Sequence, residues 1–235
     1  MSREKPPTNK TPSPAENPKN ISEKIPENPY DKLYRENKAP FGSEAEEIVK
    51  NIINYRRTGS VLELGAGDGR NALYLAEKGF AVTAWDTSQV GLDELDRLAE
   101  EKGLDVQTEM RDIKNFNPDD HFDVLVSTYV LHHLSRQDAL LLIKEMQERT
   151  NTDGLNVITA FTENGDFYRD KPDTEDFYLK REELKNLYTD AGWEVLEPTG
   201  YEEVEGKTNE KKPDGSRKVN VAAQLIARKP GNNGQ

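Results

Sequence analysis

The stretch Val61-Leu62-Glu63-Leu64-Gly65-Ala66-Gly67-Asp68-Gly69-Arg70-Asn71 decides the fold of this chain. It begins as a short apolar strand, passes through three glycines at alternate positions and ends where a helical pattern starts. Because glycine has no Cβ, the backbone there can adopt positive φ and approach a ligand closely. The turn leads into a helix N-terminus, where free N–H groups and the helix dipole favour an electron-rich ligand. The stretch therefore predicts a nucleotide-type site between a strand and a helix.

The spacing of the glycines argues against a pyrophosphate ligand. Dinucleotide-binding turns carry G-x-G-x-x-G, whereas Gly65, Gly67 and Gly69 form G-x-G-x-G. Glu63 lies on the strand, two residues before the first glycine, where a carboxylate favours a ligand with a cationic amino-acid group. A nicotinamide (NAD(P)-dependent) oxidoreductase on a similar fold stays open as an alternative, and these two features speak against it.

The distribution of prolines and apolar residues divides the chain. Its 235 residues suffice for one domain of ordinary size. Seven of the 13 prolines fall in residues 1–29, which hold almost no large apolar side chains. Such a segment cannot bury enough surface to offset its conformational entropy. We therefore expect a disordered leader at 1–29, one domain at 30–229 and a polar tail at 230–235.

Charge and composition exclude several classes of protein. The net charge of −12 disfavours a nucleic-acid partner, because phosphate binding normally requires a basic face. The chain has no cysteine, so it has no disulfide, thiolate nucleophile or thiolate metal site. No apolar run approaches the length of a membrane span. We expect a cytoplasmic monomer or homodimer that acts on a small molecule and contacts neither nucleic acid nor membrane.

Strand and helix patterns alternate along the domain, which favours a mostly parallel sheet with helices on both faces. The predicted strands are 60–64, 81–85, 105–110, 122–127, 155–161, 193–204 and 219–227. The main predicted helices are 71–78, 90–102, 135–149 and 180–191, preceded by one that starts at a capping box of Ser43 and Glu46. Asp214-Gly215 marks the turn of a C-terminal antiparallel hairpin. The fold class is therefore α/β, Rossmann-like, with seven strands.

Acidic residues follow successive predicted strands. Ligands in open α/β sheets bind at the carboxyl ends of the strands. Asp86 is placed to meet ribose hydroxyls, and Asp112 to accept from an exocyclic amine, with Ile113 as an apolar neighbour for a purine. A single strand-end aspartate is more often a turn or cap residue, but three strand-end acids together with the glycine turn indicate a nucleoside site.

In order and spacing, these motifs resemble those of class I S-adenosylmethionine-dependent methyltransferases. The resemblance covers residues 30–228 and includes the turn after Glu63, Asp86, Arg111-Asp112 and the strand 122–127. A narrower resemblance, to tellurite-resistance methyltransferases of the TehB type, lies in residues 69–76, 82–86, 127–130, 156–160 and 223–229. It implies methyl transfer to a small acceptor, with tellurite- and selenite-type oxyanions as candidates. A cofactor-binding module without catalysis stays open as a second alternative.

The resemblance implies S-adenosyl-L-methionine as the cofactor. The residues that it implies for binding are Glu63, Gly65, Ala66, Gly67, Asp86, Thr87, Asp112, Ile113 and Ser127. Within this set Glu63 holds the amino group of the methionine part, and Ser127 borders the methyl end.

Three residues are candidates for the acceptor side. His132 suits a general base near neutral pH, Tyr129 is placed to line the acceptor pocket, and Arg217 is placed to attract an anion. A metal site is not expected, because no third ligand accompanies His132 and His133. Tyr30 and Tyr34 either attach the N-terminal segment to the domain or cover the cofactor.

Overall fold

A computed structural model describes residues 28–198 and 200–231. Residues 1–27 of the predicted leader and 232–235 of the predicted tail lie outside the described residues, so both assignments stay predictions. The first helix begins at Pro29, inside the predicted leader. Within the described part of the chain, no helix combines the length and apolarity needed to cross a membrane.

The centre of the fold is one mixed β-sheet. Its strands are β1 (Ser60–Leu64), β2 (Ala81–Asp86), β3 (Val106–Met110), β4 (Phe122–Thr128), β5 (Thr150–Phe161), β6 (Glu194–Val195), β7 (Tyr201–Lys211) and β8 (Arg217–Arg228). Their order is β3-β2-β1-β4-β5-β8-β6, and β7 also pairs with β8. Strands β1 to β5 pair in parallel, whereas β8 is antiparallel to β5, β6 and β7. The predicted Rossmann-like sheet with a C-terminal hairpin is confirmed.

The sixth predicted strand is divided in two, which makes eight strands on seven sheet positions. Because β5 occupies one edge of β8, β6 and β7 must follow each other along its other edge. Backbone hydrogen bonds bridge the interruption: Leu196 N donates to Ile226 O at 3.0 Å, and Ile226 N donates to Gly200 O at 2.8 Å. Pro198 lies between them and cannot donate to a strand ladder.

The helices are α1 (Pro29–Glu36), α2 (Glu47–Lys50), α3 (Ile52–Tyr55), α4 (Arg70–Glu77), α5 (Gln89–Lys102), α6 (Arg136–Arg149), α7 (Asp166–Asp170) and α8 (Glu183–Thr189). Ser135 caps α6 as predicted, since its side chain accepts from Asp138 N. The predicted capping box of Ser43 and Glu46 is wrong. Glu46 is itself the residue before α2, and its carboxylate pairs with Arg70 at 2.5 Å instead of capping.

Both faces of the sheet are buried by helices. Leu62, Leu64 and Leu125 lie in a core cluster with side chains of α6 and α8. Val61 and Val124 lie in a second cluster with side chains of α2 to α5. Because the faces are covered, the carboxyl ends of the parallel strands form the accessible edge at which a ligand can bind.

Candidate active site

A cavity of about 840 Å³ opens at the carboxyl ends of the parallel strands. This volume lies in the usual range for small-molecule and cofactor sites. Most of the residues predicted from the sequence line it: Glu63, Gly65, Ala66, Gly67, Asp86, Thr87, Asp112, Ile113, Tyr129 and His132. The structure therefore brings together residues from the ends of β1, β2, β3 and β4.

The glycine turn requires glycine for its backbone angles and for close packing. Gly65 and Gly67 have φ of 71° and 58°, in the left-handed region. A Cβ on Gly65 would lie 2.3 Å from Val130 Cγ2, and one on Gly67 would lie 2.2 Å from the Tyr34 hydroxyl. Gly65 N donates to Trp85 O at 2.7 Å, which fixes the turn on β2. The turn is thus enclosed by β2, Val130 and Tyr34, with no room for a side chain.

Asp86 connects this turn to the start of α5. Its Oδ2 accepts from Gly67 N and its Oδ1 from Ser88 N, both at 2.8 Å. Burial raises the pKa of Asp86, and these backbone donors counteract the rise. The two N–H groups orient the carboxylate, and each oxygen retains capacity for a further donor.

Glu63 is the most deeply buried acid of the cavity, at 1% exposure. Its Oε1 accepts from Asn71 Nδ2 at 2.9 Å. Its Oε2 is buried and makes no hydrogen bond to any residue in the described ranges. Burial raises the pKa of Glu63 to about 7, while Asn71, the charge of Arg70 and the nearby backbone N–H of Ala72 act to lower it. Glu63 therefore has one oxygen that is free to accept a hydrogen bond. A cationic donor at that oxygen would stabilise the charged form of the carboxylate.

Sequence reasoning assigned no role to Arg70 and Asn71, which also line the cavity. Asn71 donates to Glu63 and to Thr128 Oγ1, and its Oδ1 accepts from Glu46 N at 2.9 Å. Arg70 donates to Phe41 O at 2.7 Å and pairs with Glu46. Asn71 could have been identified from the sequence, because it is a polar residue that follows the glycine turn at a position facing the sheet.

Helix α1 covers one side of the cavity. Tyr30 and Tyr34 line it, and the Tyr30 hydroxyl lies 2.9 Å from His133 Nε2. Ser88 Oγ donates to Asp31 Oδ1 at 2.6 Å, which attaches α1 to the start of α5. The two alternatives for these tyrosines are therefore compatible: one segment is attached to the domain and also forms a wall of the site.

The residues after β3 form a more exposed part of the cavity. Asp112 is exposed, and its Oδ1 accepts from Lys114 N at 2.9 Å as the cap of a 3-10 turn, Ile113–Asn115. Ile113 is 8% exposed and presents an apolar side chain to the cavity. Asp112 thus acts as a cap residue, while its second oxygen is left for another donor.

The opposite part of the cavity is aromatic. Tyr129 has φ of 56°, which is uncommon for a residue with a side chain, and its N–H donates to Thr159 O at 2.8 Å. Burial, followed by the charge of Glu46, raises the pKa of Tyr129 to about 12. Burial, followed by the charge of His133, lowers the pKa of His132 to about 4, so His132 is neutral at physiological pH. The rings in this part of the cavity are therefore uncharged, and the charges that act on Tyr129 are those of Glu46 and Arg70, which pair with each other.

Two aromatic residues that sequence reasoning missed, Phe161 and Phe167, complete this part. The Phe161 ring lies 5.0 Å from His132, 5.2 Å from Tyr129 and 6.1 Å from Phe167. Phe161 is the last residue of β5, so its position at the carboxyl end of a buried parallel strand was a usable signal. Phe167 lies in the short helix α7, within a segment between β5 and α8 that the sequence predicted as a polar loop.

Two predicted site residues lie outside the cavity lining. Ser127 is fully buried, and its register partner Leu64 belongs to the core cluster on the α6 side. Register partners share a face of the sheet, so Ser127 points away from Glu63, which precedes Leu64. Arg217 is exposed at the start of β8, opposite Lys211. Neither belongs to the cavity lining, and their predicted roles in binding stay predictions.

Comparison with known proteins gives one family and several relatives. The family model described as "Tellurite resistance protein TehB" matches residues 25–225. A "Probable S-adenosyl-L-methionine-dependent methyltransferase TehB" of Haemophilus influenzae is 37% identical over 169 residues, which are 72% of this chain and 57% of the relative. The chain therefore spans little more than half the length of that relative. An "Uncharacterized methyltransferase" of Staphylococcus carnosus is 31% identical over 66% of this chain and 84% of its own length.

Solved structures agree with this result. The crystal structure of TehB from Haemophilus influenzae matches with a TM-score of 0.68 and 33% identity, covering 79% of this chain and 62% of that one. A magnesium protoporphyrin IX methyltransferase from Synechocystis, solved with bound SAH, matches with a TM-score of 0.57 and 14% identity, covering 85% of this chain and 83% of that one. The second similarity shows the fold alone.

Proposed function

The chain belongs to the TehB family, and from this premise we propose that it transfers a methyl group from S-adenosyl-L-methionine to a small-molecule acceptor. The observation that carries the proposal is Glu63, a buried carboxylate with one unpartnered oxygen in a cavity beside a glycine turn. An ammonium group is the complement that such a carboxylate lacks. The methionine part of the cofactor has that group, so the residues present fit it.

The chain's own residues divide the binding of this cofactor between them. Glu63 binds the ammonium group, and Asp86, oriented by Gly67 N and Ser88 N, accepts from the ribose hydroxyls. Ile113 packs against the adenine, and Asp112 accepts from its exocyclic amine. When bound, the cofactor supplies a methyl group on a sulfonium, which has a good leaving group.

Because the leaving group needs no activation, the protein contributes positioning and exclusion of water. Tyr30 and Tyr34 of α1 cover the cofactor side, and Phe161 and Phe167 line the acceptor side. Neutral His132 is placed to hold a proton released by the acceptor. The family description names tellurite resistance, so tellurite and selenite are the first acceptors to test.

Two experiments test the proposal. Calorimetry with S-adenosyl-L-methionine, its demethylated product and NAD is expected to show binding of the first two; stronger binding of NAD would favour the oxidoreductase instead. Formation of the demethylated product is then measured with a panel of tellurite, selenite and small thiols. Cofactor binding without turnover of any acceptor would favour a non-catalytic module.

A further inference from the structure

The acceptor side of the cavity is a cluster of four rings, which we call the aromatic end: Tyr129, His132, Phe161 and Phe167. All four reach the cavity, and His132 is neutral because burial lowers its pKa. Tyr129 keeps its proton because burial raises its pKa. The aromatic end therefore offers π-faces and neutral polar groups to an acceptor.

Positive charge is scarce at this end. Among the cavity-lining residues that the structure describes, three carry a positive charge: Arg70, Arg111 and Lys114. Arg70 is already paired with Glu46 at 2.5 Å and donates to Phe41 O. Its charge is thus compensated within the protein.

The other two cations, Arg111 and Lys114, lie at the end of the cavity near β3, far from the aromatic end. Arg111 and Lys114 follow β3, whereas Phe161 ends β5, and β2, β1 and β4 lie between those strands. At ~4.8 Å per strand, β3 and β5 are roughly 19 Å apart. An oxyanion among the four rings would lose part of its hydration, and Arg70, the lining cation whose charge acts on Tyr129, is already paired with Glu46. Loss of hydration without a free cation as partner is costly.

We propose, on the basis of the methyl-transfer function proposed above, that the acceptor is an uncharged thiol or selenol on an apolar group rather than an oxyanion. Divalent sulfur makes favourable contacts with aromatic rings, and the apolar group gains from burial against them. The aromatic end also accommodates the positive charge of a sulfonium through cation–π attraction. Neither contact with the rings nor pairing with a free cation would stabilise an anionic acceptor at the aromatic end.

The transfer step requires only the acceptor, the cofactor and the side chain of His132. The lone pair of the acceptor sulfur forms a bond to the methyl carbon while the bond from that carbon to the sulfonium sulfur breaks, and its electrons stay on the departing thioether. The S–H electrons stay on the acceptor sulfur as its proton passes to a ring nitrogen of neutral His132 and then to water. Methylation makes this proton strongly acidic, so a weakly basic imidazole suffices as its acceptor.

The test measures methyl transfer by the purified full chain to different acceptors. Formation of the demethylated cofactor is measured with benzyl mercaptan, 2-mercaptoethanesulfonate, selenite and tellurite in separate reactions. We expect kcat/KM for benzyl mercaptan to exceed that for each anion by about tenfold or more, because only the anions must lose their hydration unpaired. Equal or greater kcat/KM for tellurite, selenite or the sulfonate overturns the inference.

Variants at Phe167, a half-buried residue, refine this test. Phe167→Arg places a cation at the aromatic end and is expected to raise kcat/KM for 2-mercaptoethanesulfonate relative to benzyl mercaptan by about tenfold. The matched Phe167→Leu variant is expected to retain the preference for benzyl mercaptan; an unchanged preference in Phe167→Arg counts against the inference.

Calorimetry with S-adenosyl-L-methionine separates the two proposals. If the cofactor binds but neither thiol is methylated, the acceptor inference fails and cofactor binding stands. If the cofactor does not bind, the proposed function itself fails.

Discussion

The amide of Asn71 donates to the carboxylate of Glu63 at 2.9 Å, and these side chains are only 2% and 1% exposed. Asn71 is fixed in turn by Glu46 N, which donates to its Oδ1, and by Thr128 Oγ1, which accepts from its Nδ2. One residue at the start of α4 thus ties together β1, β4 and the segment before α2. The orientation of the Glu63 carboxylate depends on this junction.

Replacement of Asn71 by alanine is expected to weaken both the fold and the site. Glu63 Oε1 would lose its partner while buried, and Glu46 N would lose its partner at a part-buried position. The free energy of unfolding should therefore fall by about 1–3 kcal/mol. Affinity for S-adenosyl-L-methionine should fall as well, because the carboxylate is no longer held. Urea denaturation and calorimetry measure the two effects. Asn54→Ala, at an exposed position of α3, is the control, and unchanged cofactor affinity in Asn71→Ala would contradict the assigned role.

The raised pKa of Glu63 predicts a pH dependence of cofactor binding. Only the carboxylate attracts an ammonium group, and the pKa of Glu63 without ligand is about 7. Affinity for S-adenosyl-L-methionine is therefore expected to rise as the pH increases from about 6 to about 8. Calorimetry across this range checks it, with Glu63→Gln as the matched variant that has no titrating group. An equally steep rise in Glu63→Gln would assign the effect to another residue.

The same group affects the stability of the ligand-free protein in the opposite direction. Between the ordinary pKa of 4.5 and the folded value of about 7, the folded state binds more protons at Glu63 than the unfolded state does. The free energy of unfolding therefore falls as the pH rises through this window. Glu63→Gln should show a smaller fall over the same range in urea denaturation.

Much of the sheet followed from local sequence patterns. Strand β1 has the predicted bounds, because a short apolar run between two glycines is well defined. The strand predicted for 193–204 divides at Pro198 and Gly200, a composition that already argues against a continuous ladder. Helix α8 starts at Glu183 rather than at Lys180, since Glu182 has φ of 58°. These deviations are local, and the predicted parallel sheet with a C-terminal antiparallel hairpin is present despite them.

The cofactor side of the site was more predictable than the acceptor side. Glu63 and Asp86 follow from one rule, that parallel strands end at a common edge. Phe167 could not be found in this way, because long-range contacts place it. Its N–H donates to Asn220 Oδ1 at 3.1 Å, and Val219 N donates to the neighbouring Asp166 Oδ2 at 2.7 Å. Hydrogen bonds to β8 thus hold α7 over the cavity, and no short sequence pattern encodes them.

Asp86→Ala is expected to weaken binding of S-adenosyl-L-methionine by about 1–3 kcal/mol, the usual range for loss of a charge-assisted hydrogen bond. The substitution also removes the acceptor of Gly67 N and Ser88 N, so the turn loses a support. Asp86→Asn keeps one acceptor oxygen and should lose less affinity. Calorimetry on both variants measures the difference; unchanged affinity in Asp86→Ala would remove Asp86 from the ribose role.

The close approach of Tyr34 to Gly67 leaves no room for a side chain in the glycine turn. A methyl group on Gly67 would lie 2.2 Å from the Tyr34 hydroxyl, so Gly67→Ala must displace α1 or the turn. Gly79→Ala is the matched control, because Gly79 has φ of 91° but no atom within 4 Å of an added Cβ. It carries only the cost of positive φ, about 1 kcal/mol. In urea denaturation Gly67→Ala should therefore lose more stability than Gly79→Ala, and it should also lose cofactor affinity.

Adding Tyr34→Phe to Gly67→Ala removes the hydroxyl and should restore part of both losses. Equal losses in the two glycine variants, with no restoration by Tyr34→Phe, would show that α1 does not constrain the turn.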